Sequence, residues 1–117
     1  MFKRAIAVLS LVALSATSSI AFTGEASWYG PGFHGKKMAN GKPFNQNAIT
    51  FAHKTLPLGS YLRVTNLKNG KTICGPVTDR GPYAKGRVID ASKAAAIALG
   101  YKDRGHTPIE GEQVTSC

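Results

Sequence analysis

The hydrophobic pattern of this chain changes character after its first twenty or so residues. Residues 5–15 (AIAVLSLVALS) form an almost unbroken apolar run, shorter than the roughly 20 residues that a membrane-crossing helix needs. Lys3 and Arg4 precede it, and a Ser/Thr cluster ending in Ser19-Ile20-Ala21 follows. A charged start, a short apolar centre and a small-x-small triplet are the marks of a cleaved export signal. Residues 1–21 are therefore expected to be a signal peptide and residues 22–117 the folded domain. The run has no amphipathic face, which disfavours a buried N-terminal helix. No Cys lies beside the expected cleavage site to accept a lipid, so an exported product without a stable membrane anchor is expected.

Beyond this point the apolar residues come in short groups separated by turn formers. Glu25 to Tyr29 reads as a strand stopped by Gly30-Pro31-Gly32. Residues 33–47 hold two Gly, a Pro and three Lys and read as a long loop, a feature usually tied to function in compact domains. Ala48 to His53 reads as a short strand or turn, and Tyr61 to Thr65 alternates with the period of two of a half-buried strand. Asn69-Gly70 is a strong hairpin signal. The return strand from Lys71 to Thr78 carries Pro76, which has no N–H for a ladder and so predicts an edge or a bulge. Arg80-Gly81-Pro82 turns the chain, and Arg87 to Ile89 is a further strand. Ala91 to Leu99 is the one helix, with Ser92 or Asp90 as N-cap and Gly100 at the left-handed C-cap. Glu112 to Thr115 supplies a last strand. Many short strands with one helix predict a mainly β fold, a small barrel or sandwich.

Composition narrows the function classes. The chain has 15 basic and 6 acidic residues and a formal charge of +9; without Lys3 and Arg4 the domain keeps 13 basic residues and a charge of +7. Such a balance in a cytoplasmic protein suggests nucleic acid, but export replaces that partner with the anionic polymers of the cell envelope, and no nucleic-acid partner is expected. Two cysteines, Cys74 and Cys117, lie in the domain. In an oxidising compartment they are expected to form one disulfide. The competing readings are a reactive thiol or a metal ligand, and neither has a neighbouring residue to support it.

The six acidic residues are Glu25, Asp79, Asp90, Asp103, Glu110 and Glu112. Asp90 reads as structural, close to a helix N-terminus where a carboxylate is stabilised. Asp103, Glu110 and Glu112 read as solvated surface. Asp79 stands at a strand end before a rigid turn, which suits a rim carboxylate, although an Asp capping the turn with Arg80 explains the same spacing. His34, His53 and His106 show no zinc-ligand spacing, and no metal or cofactor is expected. Phosphate-binding, dinucleotide and serine-hydrolase motifs are absent.

Several strings occur in order: Ala26-Ser27-Trp28-Tyr29-Gly30, Ala39-Asn40-Gly41, Ala52-His53-Lys54-Thr55-Leu56-Pro57-Leu58-Gly59, Val64-Thr65-Asn66, Asn69-Gly70, Asp79-Arg80-Gly81-Pro82 and Arg87-Val88-Ile89-Asp90. With Ala94-Ala95-Ala96 and Leu99-Gly100 they closely resemble the rare lipoprotein A family, over residues 26–101. The resemblance implies a small six-stranded double-psi β-barrel with one short α-helix. It also implies a periplasmic or extracellular lytic transglycosylase acting on peptidoglycan glycan strands stripped of their stem peptides. Carried over by position, Asp79 matches the family's catalytic Asp and His53 its active-site His, while Trp28 and Tyr29 match the aromatic motif that opens the domain.

A hydrolase uses two carboxylates, whereas a lytic transglycosylase can use one group twice. A protonated Asp79 would protonate the oxygen between N-acetylmuramate and N-acetylglucosamine. The resulting carboxylate would take the proton of the muramyl C6 hydroxyl as that oxygen closes on C1, leaving a 1,6-anhydro sugar. His53 would hydrogen-bond Asp79 or the developing charge. Arg80 and the loop lysines Lys36 and Lys37 would meet lactyl carboxylates, and Trp28 or Tyr29 would stack on a sugar or pack in the core.

Three departures qualify the resemblance. Lys42 stands where the family carries a Glu, placing a cation in the expected glycan groove. Cys74-Gly75-Pro76 replaces a plain β-branched strand. The lipobox and the C-terminal glycan-binding domain of larger members are expected to be missing. A monomer is expected. The alternative class is a non-catalytic, expansin-like wall-binding module, favoured by Lys42; a secreted inhibitor or effector built on the same barrel is the third.

Overall fold

The computed structural model describes residues 21–117. The expected export signal lies outside the described residues, apart from Ala21. Six strands and one helix follow one another: β1 (Ala21–Trp28), β2 (Phe51–His53), β3 (Tyr61–Asn66), β4 (Thr72–Asp79), β5 (Arg87–Ala91), α1 (Lys93–Leu99) and β6 (His106–Val114). The strands close into a barrel in the order β1-β5-β2-β4-β3-β6. Two neighbouring pairs, β1–β5 and β2–β4, run parallel, and the other four pairs are antiparallel.

The inside of the barrel follows from the alternation. In β3, Leu62, Val64 and Asn66 are buried while Tyr61 and Arg63 are exposed. In β6, Thr107, Ile109 and Gly111 are buried. They meet Phe51, Val77, Ile89 and Ala91 in one core, which α1 closes with Ala95, Ala96 and Leu99. Burying such side chains is the main favourable term in folding. Asn66, with Thr107 and Ser92, is a buried polar residue of this interior. Its Nδ2 donates to the Leu99 carbonyl (2.8 Å), and its Oδ1 accepts from Thr107 Oγ1 (2.8 Å) and Lys68 N (2.9 Å). Every polar atom of that amide except one N–H is thus committed, as a buried amide requires.

The helix begins two residues later than its composition suggested. Ala91 ends β5, and Ser92 alone is the N-cap, accepting from Ala95 N at 3.1 Å. Gly100 adopts φ 82° as the left-handed C-cap. Asn69-Gly70 forms the expected turn between β3 and β4, with Gly70 at φ 78°. Strands β1 and β6 are longer than the sequence signalled, because Ala21–Gly24 pairs with Ile109–Glu112.

Pro76 does not mark an edge, since a closed barrel has none. Val77 N donates to Ser60 O at 2.8 Å on the β3 side, so the adjacent Pro76 nitrogen faces the β2 side, where pairing begins only at Val77 opposite Phe51. The missing N–H therefore breaks no ladder bond. The irregularity lies beyond it, between the pairs Phe51–Val77 and Ala52–Asp79. Gly75 has its own reason: a Cβ there would sit 2.9 Å from the Ile49 carbonyl oxygen.

Cys74 and Cys117 form a disulfide across a sequence separation of 43 residues. It ties the tail after β6 to β4, across β3, which lies between them. Loop-closure entropy assigns such a bridge about 4 kcal/mol. The Cys74→Ser/Cys117→Ser variant is expected to fold and to melt well below the parent protein. Equal melting temperatures in thermal denaturation would show that the tail contributes nothing to stability.

Candidate active site

Barrel pairing assembles a carboxylate site around β2. Ala52 is in register with Asp79 of β4 on one side and Asp90 of β5 on the other. With neighbouring strands about 4.8 Å apart, the two Asp backbones lie roughly 10 Å from each other. The loop expected over residues 33–47 folds back over this region as a tight hairpin: Lys37 bridges Pro43, and Met38 N donates to Lys42 O at 2.8 Å.

Asp79 is held by three donors. Ala39 N (2.8 Å) and Arg80 N (2.9 Å) donate to Oδ1, and the Tyr29 hydroxyl donates to Oδ2 at 2.6 Å. Two of the donors are backbone amides whose directions are fixed by the hairpin and the turn. Burial and the neighbouring Asp79 carboxylate push the Tyr29 phenol far above its ordinary value of 10.0, so it stays a proton donor across the working pH range. Its ring stacks on buried Phe44 (centroids 4.5 Å apart) and meets Phe33 edge-on at 5.6 Å. Tyr29 thus belongs to the site as an anchor for Asp79.

The other expected site residues divide. Arg80 forms no ion pair with Asp79; its Nη1 donates to the carbonyls of Leu56 (2.6 Å) and His53 (3.2 Å). It locks the segment after β2 to the turn after β4. His53 is one residue beyond Ala52, and its Nδ1 accepts from Leu56 N (3.0 Å) and Thr55 N (3.1 Å). Its ring packs against Phe22 at 5.0 Å. No hydrogen bond joins His53 to Asp79 among the described residues, and Nε2 is the nitrogen left for a ligand. Lys42 is exposed at the end of the hairpin, where its backbone N–H donates to Asn40 Oδ1 at 3.0 Å. Lys36 and Lys37 are exposed on the same hairpin. Trp28 stands apart from Asp79. Its indole N–H donates to the Lys102 carbonyl at 3.0 Å, and its ring walls a neighbouring pocket.

Asp90 is the residue whose place the sequence concealed. It caps no helix; its Oδ1 accepts from the Ser27 hydroxyl at 2.7 Å. Burial raises its pKa above the ordinary 3.8, opposed by the Ser27 bond and Arg87 and reinforced by the Asp79 carboxylate. The site therefore contains two acids, one of which has its pKa raised by burial. Two exposed aromatics were also missed: Phe33 beside Tyr29, and Tyr83, 77% exposed, four residues after Asp79. A Tyr directly behind an Asp-x-Gly-Pro turn was the available signal.

Comparison with known proteins finds relatives of this barrel. A family model described as lytic transglycolase matches residues 21–110. An endolytic peptidoglycan transglycosylase RlpA of Neisseria meningitidis serogroup B is 53% identical over 92 residues, covering 79% of this chain and 38% of that protein. A probable endolytic peptidoglycan transglycosylase RlpA of Synechocystis is 57% identical over 82 residues, covering 70% of this chain and 26% of that protein. This chain thus spans well under half the length of these relatives. Among solved structures, a papain inhibitor from Streptomyces superimposes with a TM-score of 0.66 at 28% identity, covering 81% of this chain and 94% of that one. An expansin of Clavibacter michiganensis does so with a TM-score of 0.63 at 26% identity, covering 81% and 50%.

The pKa shifts set a pH dependence of stability. As pH falls through 6.5, the unfolded His53 protonates first, because burial and then Arg80 and Lys54 lower the folded value; stability present above 6.5 is lost below it. Asp90 acts in the opposite sense: stability present below 3.8 is lost as pH rises through its raised folded value. His53→Gln is expected to flatten the acid-side decline in melting temperature, and Asp90→Asn to gain stability relative to the parent as pH rises towards 7. Parallel melting curves against pH for parent and variants would contradict both assignments.

The matched model, the identities above one half and the six-stranded barrel converge: this chain belongs to the lytic transglycolase family, on a double-psi β-barrel.

Proposed function

We propose that this domain is an endolytic lytic transglycosylase of peptidoglycan, with Asp79 as its acid and base. The observation that carries the reading is the three-point mounting of Asp79 by Tyr29, Ala39 and Arg80. Oδ1 is occupied by two fixed amides, so Oδ2 is the atom with capacity to hold and release a proton. A protonated Oδ2 gives its proton to the glycosidic oxygen as the C1–O bond of N-acetylmuramate breaks. The carboxylate formed then accepts the proton of the muramyl C6 hydroxyl while the C6 oxygen bonds to C1. One group returns to its starting state, no water is consumed, and the product is a 1,6-anhydro end.

The surrounding residues support this chemistry by position. Tyr29 steadies the carboxylate as its charge changes, and hydrogen bonds to ionised acceptors are the stronger kind. Asp90, across Ala52, places a second acid beside the reacting group without competing for its donors. Exposed Phe33 and Tyr83 supply apolar faces near Asp79 for sugar rings. The excess of basic groups draws an anionic glycan toward the domain. Export to the periplasm or the exterior and action as a monomer complete the reading.

A second reading rests on Lys42. An exposed cation on the hairpin that mounts Asp79, together with the expansin neighbour, favours a barrel that binds wall glycan without cleaving it. Incubation of the protein with amidase-treated peptidoglycan separates the two. Mass spectrometry is expected to find 1,6-anhydro-muramyl products, and Asp79→Asn to reduce their formation at least about a hundredfold while glycan still pellets with the protein. Glycan binding without anhydro products from the parent protein would establish the non-catalytic module instead.

A further inference from the structure

We propose that the pocket walled by Trp28 is a subsite for an N-acetylmuramyl residue, recognised through the carboxylate of its lactyl ether by Lys93 and Lys102. The inference rests on the glycan reading above and assigns a substrate group to residues outside the Asp79 cluster.

The pocket has a volume of about 360 Å³ and lies between the loop after β1 and the start of α1, lined by Trp28, His34, Gln46, Lys93 and Lys102 together with Pro31 and Gly32. That is within the size range of small-ligand sites. Its frame is tied at both ends: Gln46 N donates to His34 Nδ1 (3.1 Å), and Ala94 N donates to Gln46 O (2.9 Å). The Trp28 indole N–H is spent on the Lys102 carbonyl, which fixes the ring plane and the root of the Lys102 side chain together.

The polar groups left over are nearly all donors. His34 uses Nδ1 as an acceptor, so its neutral ring carries the proton on Nε2. The Lys93 ammonium has no ion-pair partner among the described residues. Lys102 pairs with Asp103 at 3.4 Å, but that carboxylate is 97% exposed, and such a pair is readily exchanged for a ligand anion. No acidic side chain lines the pocket. An aromatic wall lined by two lysines suits a sugar that carries an anion on its ring.

N-acetylmuramate with a free lactyl carboxylate has that chemistry. Attachment of a stem peptide turns the carboxylate into a bulky amide and removes the charge. Trp28, which walls the pocket, directly precedes Tyr29, whose hydroxyl bonds Asp79. The pocket would therefore favour strands stripped of peptide.

The test compares binding of the purified protein to three probes: amidase-treated glycan strands, peptide-bearing strands, and the neutral hexamer of N-acetylglucosamine. Lys93→Glu/Lys102→Glu is expected to weaken binding of the stripped strands at least about tenfold, leaving the hexamer and peptide-bearing strands within about twofold. Lys68→Glu/Lys71→Glu carries the same charge change on the β3–β4 turn and is expected to leave all three nearly unchanged. The neutral Lys93→Gln/Lys102→Gln pair repeats the measurement should the charge reversal disturb folding. Equal losses in both charge-reversed pairs would reduce the effect to net charge and overturn the subsite, as would unchanged binding of stripped strands by the Lys93/Lys102 variants. Failure of the parent protein to bind stripped strands at all would instead overturn the glycan reading on which the subsite rests.

Discussion

Strand β2 is three residues long, yet it closes the barrel by pairing with β4 on one side and β5 on the other. Everything at the site depends on that double pairing. Phe51 fills the interior against Val77 and Ile89, and Ala52 sets the spacing between the strands that carry Asp79 and Asp90. A larger side chain at Ala52, which is 1% exposed, would push on the segments covering β2. So short a strand holds because its ends are fixed from outside: Thr50 O accepts from Ser92 N (3.0 Å), and the guanidinium of Arg80 holds the carbonyls of His53 and Leu56. Arg80 therefore serves the site by positioning backbone, a role for which its multi-donor head is well suited.

The hairpin over the site shows how a long polar loop becomes part of the machinery. Its apolar members, Met38 and Phe44, are buried, and Tyr29 lies stacked on Phe44. This small satellite core pays the ordering cost of the loop, and the amide of Ala39 is thereby aimed at Asp79 before any substrate arrives. Preorganised donors act without reorganising during a reaction. The exposed lysines of the same hairpin cost the fold little, which leaves position 42 free to differ in charge without disturbing the mount.

What the sequence made legible were elements fixed by local chemistry. Asn69-Gly70 needed only a positive φ to mark its turn, and Ser92 with Gly100 bounded a helix by caps alone. The beginning of β6 escaped because its buried positions are Thr107 and Gly111, whose burial is justified by distant partners: Asn66 bonds the Thr107 hydroxyl, and the Phe22 ring occupies the space where a side chain of Gly111 would lie. The site divides in the same way. Asp79 stood out through its turn and through family resemblance, and Tyr29 through its motif, where its hydroxyl bonds Asp79. Asp90 was hidden, since its hydroxyl donor Ser27 is 63 residues away and only barrel closure sets it beside β2. Proximity to a helix start suggested a capping role that Ser92 already fills.

The scarcity of acids gives the electrostatics their shape. Glu112 pairs with Arg63 at 3.1 Å and Asp103 meets Lys102 at 3.4 Å on exposed surface, where such pairs contribute little to stability, and Glu25 meets His106 at 2.9 Å in a part-buried pair. Asp79 and Asp90 are different: strand pairing sets them on either side of Ala52, within a domain whose remaining charge is strongly positive. An anionic strand is attracted by the whole surface, but the attraction is indiscriminate and screened over about 8 Å at physiological ionic strength. Direction has to come from shape and fixed donors, such as the Asp79 mount with Phe33 edge-on to Tyr29 beside it. The barrel's closure around Ala52 fixes where the two acids of the site stand.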